Sequence, residues 1–228
     1  MESNQENAIA FFDVDGTLLS STIVHCYLWI RTSTMSSIQK FFWMIGFIPK
    51  VVYYLILDRF NRSRFNQVFY RNYRNMDALQ IQSSANDMFN EYLIKKVFPD
   101  AKTQIDEHKE LNHQIVLVTG SLDFITEPIA AYFSADHVLS AKLEVQGSRY
   151  TGELTTSPVI GNEKAKIMAE YAKQEGVSLD DCYAYSDSLS DLAMLECVGI
   201  PVVVNPNKAL RKKASETGWE IHEWMDES

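Results

Sequence analysis

Three short apolar runs in this chain each break off into a polar, turn-forming segment. Ala8 to Phe12 runs into Asp13-Val14-Asp15-Gly16-Thr17, Ile115 to Val118 into Thr119-Gly120-Ser121, and Cys182 to Tyr185 into Ser186-Asp187-Ser188. Apolar runs of this length, bounded by turn residues, predict buried strands. Segments with helical patterning lie around them: Phe98 to His113, Phe124 to Phe133, Glu163 to Glu175 and Leu189 to Cys197. The alternation predicts an α/β fold with a doubly wound parallel sheet and helices on both faces. Such sheets bind ligands at the carboxyl ends of their strands, where all three polar segments fall.

Residues 20–94 separate the first strand from the rest and are mostly helical in pattern, with aromatics and arginines from Arg59 to Arg74. A stretch this long is not a simple loop. It reads as a helical cap inserted into a core made of residues 1–19 and 95–228. Within it, Phe41 to Leu57 is strongly apolar, with Lys50 as its one charge and with Gly46 and Pro49 interrupting it. It falls short of the roughly 20 residues a spanning helix needs. The expectation is a helical pair packed into the fold; a surface that meets lipid or an apolar ligand stays open as the alternative. Ala141 to Leu154 alternates around Gln146-Gly147-Ser148, as a hairpin does.

Composition narrows the partners. A chain of 228 residues, 46% of them hydrophobic, can bury a sizeable core without disulfides. Cys26, Cys182 and Cys197 are odd in number, scattered, and outside any metal-ligand spacing, which fits a reducing cytoplasm. Met1 to Asn7 is polar and lacks the features of a secretory signal. A formal charge of −9 argues against nucleic acid, whose affinity comes from neutralising Lys and Arg, and in favour of small molecules.

The chemistry-bearing residues follow the strands. Asp13 and Asp15 alone would be turn formers, but Gly16-Thr17 lets the backbone curl and present amides to an anion. A carboxylate there can attack phosphorus while its neighbour handles the proton. Asp187 and Asp191 would otherwise be a helix cap and a first-turn acid; together with Asp13 and Asp15 they form a hard-oxygen cluster that calls for a cation such as Mg²⁺. Thr119, Gly120 and Ser121 offer a hydroxyl and amides for phosphate oxygens, and Lys164 offers a charge. His25, His108, His113, His137 and His222 form no visible cluster, and Ser121 sits in no Gly-x-Ser-x-Gly elbow.

The ordered set Asp13-Val-Asp-Gly-Thr17, Thr119-Gly120, Lys164 and Asp187-x3-Asp191 resembles the four motifs of the haloacid dehalogenase superfamily, and within it the phosphoserine-phosphatase-like group. The resemblance implies a Rossmann-like core with a C1-type helical cap and a Mg²⁺-dependent phosphatase acting on a small phosphorylated substrate. In it Asp13 is the nucleophile, Asp15 the acid and base, and Thr119, Gly120 and Lys164 hold the phosphoryl group. The metal would be held by the Asp13 and Asp187 side chains and the Asp15 carbonyl, with Asp191 close by. Val203 to Asn207 resembles the strand and loop that close the family core, with Asn205 at the border of the site. Thr22 stands where phosphoserine phosphatases carry a glutamate for the substrate amine, which argues against phosphoserine. Ser190 replaces an asparagine of the last motif. A non-catalytic module of the same fold, a phosphotransferase, and a phosphatase specific for lysophospholipid-like substrates, which apolar Phe41 to Leu57 and the basic run Arg59, Arg62, Arg64, Arg71 and Arg74 could suit, remain as alternatives.

Overall fold

The computed structural model describes residues 8–225, so the reading of Met1 to Asn7 lies outside the described residues. The chain opens with β1 (Ile9–Phe12) and then α1 (Ile23–Thr32), α2 (Ser37–Phe60), α3 (Arg62–Tyr70), α4 (Ala78–Ser83) and α5 (Ala85–Glu91). After α6 (Pro99–Glu110) come β2 (Gln114–Leu122), α7 (Asp123–Phe133), β3 (His137–Ala141), β4 (Leu143–Gln146) and β5 (Arg149–Leu154). The remainder is α8 (Asn162–Glu175), β6 (Tyr183–Ser186), α9 (Leu192–Glu196), β7 (Ile200–Val204), α10 (Lys208–Thr217) and β8 (Glu220–His222).

Six strands form one sheet in the order β3-β2-β1-β6-β7-β8, and every pairing in it is parallel. Side chains alternate between two buried layers, as the two-residue strand period requires. Ala10, Phe12, Ile115, Leu117 and Tyr185 face one layer; Ile9, Phe11, Val116, Val118 and Ala184 face the other. The chain reverses its direction across the sheet at β1 and β6, and that switch point is where open sheets of this kind leave a crevice.

The helical insertion is closed at its base. Ser20 N–H donates to the Lys96 carbonyl at 2.7 Å and Phe98 N–H to that of Leu18 at 3.1 Å, so its two ends are clipped together beside β1. Its buried side chains, among them Tyr27, Phe69, Tyr70, Met88 and Leu93, join the same apolar layer as Phe12 and Leu117. The β4–β5 hairpin, paired Val145 to Tyr150, is stitched to it by Asn75 N–H to the Tyr150 carbonyl and Ala78 N–H to that of Ser148. Arg71 and Arg74 both pair with Glu153.

Two expectations are corrected. Thr119, Gly120 and Ser121 are not a loop: β2 continues to Leu122, and its register against β3 slips between Thr119 and Leu122. Such an irregularity bends a strand and re-aims its side chains beside a site. Residues 41–57 are not a helical pair either. They lie inside one 24-residue helix, with Pro49 in its interior. Proline removes a single ladder bond, and the buried rings of Phe47 and Tyr54 anchor the helix on either side of it. The unbroken helix is long and apolar enough to cross a bilayer by length and composition, and only 11% of its most apolar stretch is buried.

Candidate active site

The site is built on the ends of β1, β2 and β6. Asp13 extends β1 along β6, its N–H donating to the Tyr185 carbonyl at 3.0 Å. The chain then folds tightly, with Thr17, Leu18 and Leu19 N–H groups all directed to the Val14 carbonyl. Gly16 permits this with φ +94°, and a Cβ there would lie 2.5 Å from Asp187 Oδ2. Only glycine therefore lets the β1 turn close on the β6 turn. Thr17 locks the two together: its hydroxyl accepts from Asp187 N–H at 3.1 Å and lies 3.2 Å from Asp13 Oδ2.

Lys164 enters from the first turn of α8, after Gly161 at φ +58°. Its ammonium donates to Asp13 Oδ1 at 2.5 Å and to Asp191 Oδ2 at 2.8 Å, and Ser186 donates to the same Asp191 oxygen at 2.9 Å. All three charged groups are buried. Burial opposes the charge on Lys164, but Asp13 and Asp191 more than offset it and hold its pKa above the ordinary lysine value. For Asp13, burial wins over the pull of Lys164, and with Asp191 and Asp187 nearby its carboxyl is raised to about 7. Burial and Asp191 likewise raise Asp187 to about 6, against the pull of Arg62 and Lys164.

Asp15 is held by hydroxyls: Ser121 Oγ donates to its Oδ2 at 2.6 Å and Thr119 Oγ1 at 3.3 Å. Burial raises its pKa, with the Ser121 bond pulling the other way. A carboxyl that keeps its proton more readily than usual suits a general acid. Ser121 N–H bonds to Thr119 Oγ1 at 3.0 Å.

Asp13, Asp15, Thr119, Gly120, Lys164, Asp187 and Asp191 all line one cavity of about 710 Å³. Four distant segments thus bring these seven residues together. The insertion supplies most of the remaining lining. Tyr70 Oη donates to the Gly120 carbonyl at 2.5 Å, and a Cβ on Gly120 would come within 3.0 Å of Asn66 Nδ2. From α2, Asp58 reaches the cavity with Oδ1 buried and lacking a hydrogen-bond partner. Arg62 stands at the mouth; burial works against its charge, but Asp58, Asp13, Asp191 and Asp187 raise its pKa.

The oxygen-only donors Asp13 and Asp187, both repelled by neighbouring carboxylates, suit a hard divalent cation. Among the described residues no three His, Cys, Asp or Glu side chains form a ready-made metal cage.

Ser186 immediately precedes Asp187, and its signal was a hydroxyl beside a carboxylate; Ser121, expected to offer a phosphate contact, has its hydroxyl on Asp15. Tyr70, Asn66 and Asp58 had no comparable signal, because only tertiary packing brings α2 and α3 over the strand ends, whereas Arg62 stood out only as one of a basic run. Thr22 caps α1, accepting from His25 N–H at 3.4 Å. Cys26 is buried and its thiol is pushed up by that burial, so it offers no nucleophile. Asn205 is turned away, its Oδ1 accepting from Trp224 N–H at 2.7 Å. The histidines do cluster in part: His108 and His113 share a 2.8 Å contact between their Nδ1 atoms, and His108 Nε2 meets the Tyr185 hydroxyl at 2.8 Å. Burial, with His113 adding to it, lowers His108 to about 4, which favours its neutral form within the core.

The chain is 39% identical over 145 residues to a probable phosphatase of Mycobacterium tuberculosis, an alignment covering 64% of this chain and 50% of that protein; it spans about half the length of that relative. It is 25% identical over 235 residues to a histidinol-phosphatase of Neisseria meningitidis, covering 93% of this chain and 97% of that one. A crystal structure of phosphoserine phosphatase in apo form shares the fold, with a TM-score of 0.70 at 18% identity over 95% of this chain and 93% of that chain. Residues 10–196 match the haloacid dehalogenase-like hydrolases, a span that contains every carboxylate of the cavity floor together with Lys164, and the chain belongs to that family.

Proposed function

We propose that this protein is a Mg²⁺-dependent phosphomonoesterase working through an aspartyl phosphate on Asp13. The observation that carries the reading is the buried Lys164 ammonium, shared between Asp13 and Asp191 and lying beside two hydroxyls that hold Asp15. It pairs a carboxylate nucleophile with a fixed positive charge where phosphoryl oxygens would sit.

In this reading Asp13 Oδ attacks phosphorus and the ester oxygen departs, taking a proton from Asp15. Asp15, now a carboxylate, removes a proton from water, which attacks the aspartyl phosphate and releases inorganic phosphate. Thr119, the Gly120 segment and Lys164 hold the phosphoryl oxygens. Asp191 and Ser186 keep Lys164 aimed. The Asp13 and Asp187 side chains and the Asp15 main-chain carbonyl would hold Mg²⁺, which supplies charge neutralisation for the incoming phosphate. Thr22, neutral and engaged as a helix cap, disfavours phosphoserine as substrate.

The test is hydrolysis of p-nitrophenyl phosphate with Mg²⁺ by the wild type and by Asp13→Asn. The expected result is magnesium-dependent turnover that falls by about 10⁴-fold or more in the variant. Turnover retained in Asp13→Asn would show that another group attacks phosphorus. Turnover absent from the wild type across a panel of phosphomonoesters would favour a non-catalytic module, and transfer to an added alcohol would favour a phosphotransferase.

A further inference from the structure

The cavity above the carboxylates is larger and more apolar than a phosphate group needs. One stripe of α2, namely Met44, Phe47, Ile48, Val51, Val52 and Leu55, lines it. These positions recur every three or four residues and so share one helix face. They run for roughly 16 Å along the axis, at about 1.5 Å per residue. Ile23, Val24 and Leu28 of α1 face the same space. At about 710 Å³ the cavity is within the roughly 300–1,000 Å³ range of sites that take a whole small molecule. A phosphate with a purely polar leaving group would leave this wall wetted.

The wall is also continuous with the outside. Met44, Ile48, Val52 and Leu55 line the cavity and are still 38%, 56%, 52% and 67% exposed. The cavity therefore opens sideways along α2. Beyond it, the same helix carries Ile38, Phe41, Phe42, Ile45, Ile56 and Phe60 on its exposed surface, far more contiguous apolar surface than a water-facing helix normally shows.

The helix does not read as a span, despite its length. Both of its ends return to one folded body: residues 33–36 join it to α1, and Asn61 alone joins it to α3. Its buried rings, Phe47 and Tyr54, sit in the apolar layer shared with the sheet. A helix held this way lies along an interface. Its charge suits an anionic one. Between Ser37 and Arg64 there are five basic residues, Lys40, Lys50, Arg59, Arg62 and Arg64, against Asp58 alone, in a chain of formal charge −9. On its flank a second cleft, of about 830 Å³, is lined by Arg31, Lys50, Arg71, Arg74 and Arg149 against the one acidic side chain of Asp77, with Glu153 pairing two of the arginines.

We infer that the substrate is a phosphomonoester bearing a long apolar chain, and that the outer face of α2 rests on the anionic lipid surface from which it is drawn. The phosphate sits at Asp13 and Lys164, and the chain lies along the α1 and α2 wall. The inference rests on the phosphatase reading above and names the leaving group that reading leaves open.

Two measurements on the full chain test it. The first follows kcat/KM for monoalkyl phosphates of increasing length, each below its micelle concentration, with p-nitrophenyl phosphate as the reference. Burial predicts a gain of about fourfold per methylene until the chain leaves the cavity. The second is flotation with vesicles of phosphatidylcholine, with and without phosphatidylglycerol, comparing the wild type with a Phe41→Ser, Phe42→Ser, Ile45→Ser triple variant. The wild type is expected to float with the anionic vesicles and the variant to stay behind, with p-nitrophenyl phosphate turnover equal in both. Values of kcat/KM independent of chain length, alongside Asp13-dependent turnover of p-nitrophenyl phosphate, would overturn the inference and leave the phosphatase reading standing. No turnover of any phosphate would overturn both the phosphatase reading and the substrate assignment. A wild type that ignores vesicles but forms a dimer in light scattering, lost in the triple variant, would assign the face to a second copy of the chain and overturn lipid docking.

Discussion

At the floor of the cavity, charge is buried and answered by charge: Lys164 lies within hydrogen-bond distance of both Asp13 and Asp191, and all three are 5% exposed or less. Along α2 the arrangement is inverted, with Phe41, Phe42 and Ile48 61%, 67% and 56% exposed. Each region breaks the ordinary rule for where its residue types belong, and in opposite senses. The floor tolerates buried ions because Lys164 and the surrounding hydroxyls compensate them. The exposed face has no such compensation within the chain. A folded protein keeps an arrangement that costs stability where the arrangement acts on something outside itself; in the function proposed above that is a phosphate below and an apolar chain or surface above.

The sharpest way to break the contrast is to remove the compensating charge. Lys164→Ala leaves Asp13 and Asp191 buried without their cation, and is expected to lower stability by about 3–5 kcal/mol, measured by urea unfolding. A loss below about 1 kcal/mol would mean that water reaches the floor freely.

A smaller effect follows from the raised carboxyls. Asp13 titrates near 7 folded against 3.8 for the free group, so the folded state binds the extra proton between those values. Its contribution to stability is complete below about 4 and is lost as pH rises through about 7. The melting temperature of the metal-free wild type should therefore fall relative to Asp13→Asn as pH rises from about 4 to about 7, and saturating Mg²⁺ should reverse the trend by favouring the ionised form. A difference unaffected by pH would place Asp13 in a solvated setting.

The smallest change belongs to the exposed face. Phe42→Ser and Ile45→Ser are each expected to shift stability by less than about 0.5 kcal/mol, read from the same unfolding curves. A loss of several kcal/mol would show that these side chains are packed in solution.

The legibility of the two regions differs for a physical reason. Asp13, Thr119 and Asp187 follow strands whose apolar runs are continuous in sequence, so a local pattern places them at the same edge of a parallel sheet. Lys164 carries no such local mark on an amphipathic helix, and only its resemblance to a motif selected it. The extent of α2 was misread because Gly46 and Pro49 are locally strong breakers, while the anchoring of Phe47 and Tyr54 is a tertiary effect that local propensity does not contain. Asp58, Asn66 and Tyr70 were invisible for the same reason: their approach to Gly120 and the carboxylates depends on how α2 and α3 cross the sheet, a relation between segments more than 50 residues apart in the case of Asn66 and Gly120.

Asn61 ends α2 and begins α3, with its side chain accepting from Arg64 N–H at 2.8 Å. One residue thus couples the helix proposed to hold the tail of a ligand to the helix that carries Arg62, Asn66 and Tyr70. For protein engineering this makes the two helices a single exchangeable cassette. Grafting α2 alone from a relative of different selectivity would re-register Tyr70 against Gly120 and disturb the phosphate end of the cavity, whereas a graft running from Ser36 through Tyr73 would carry the selectivity and leave the floor in place.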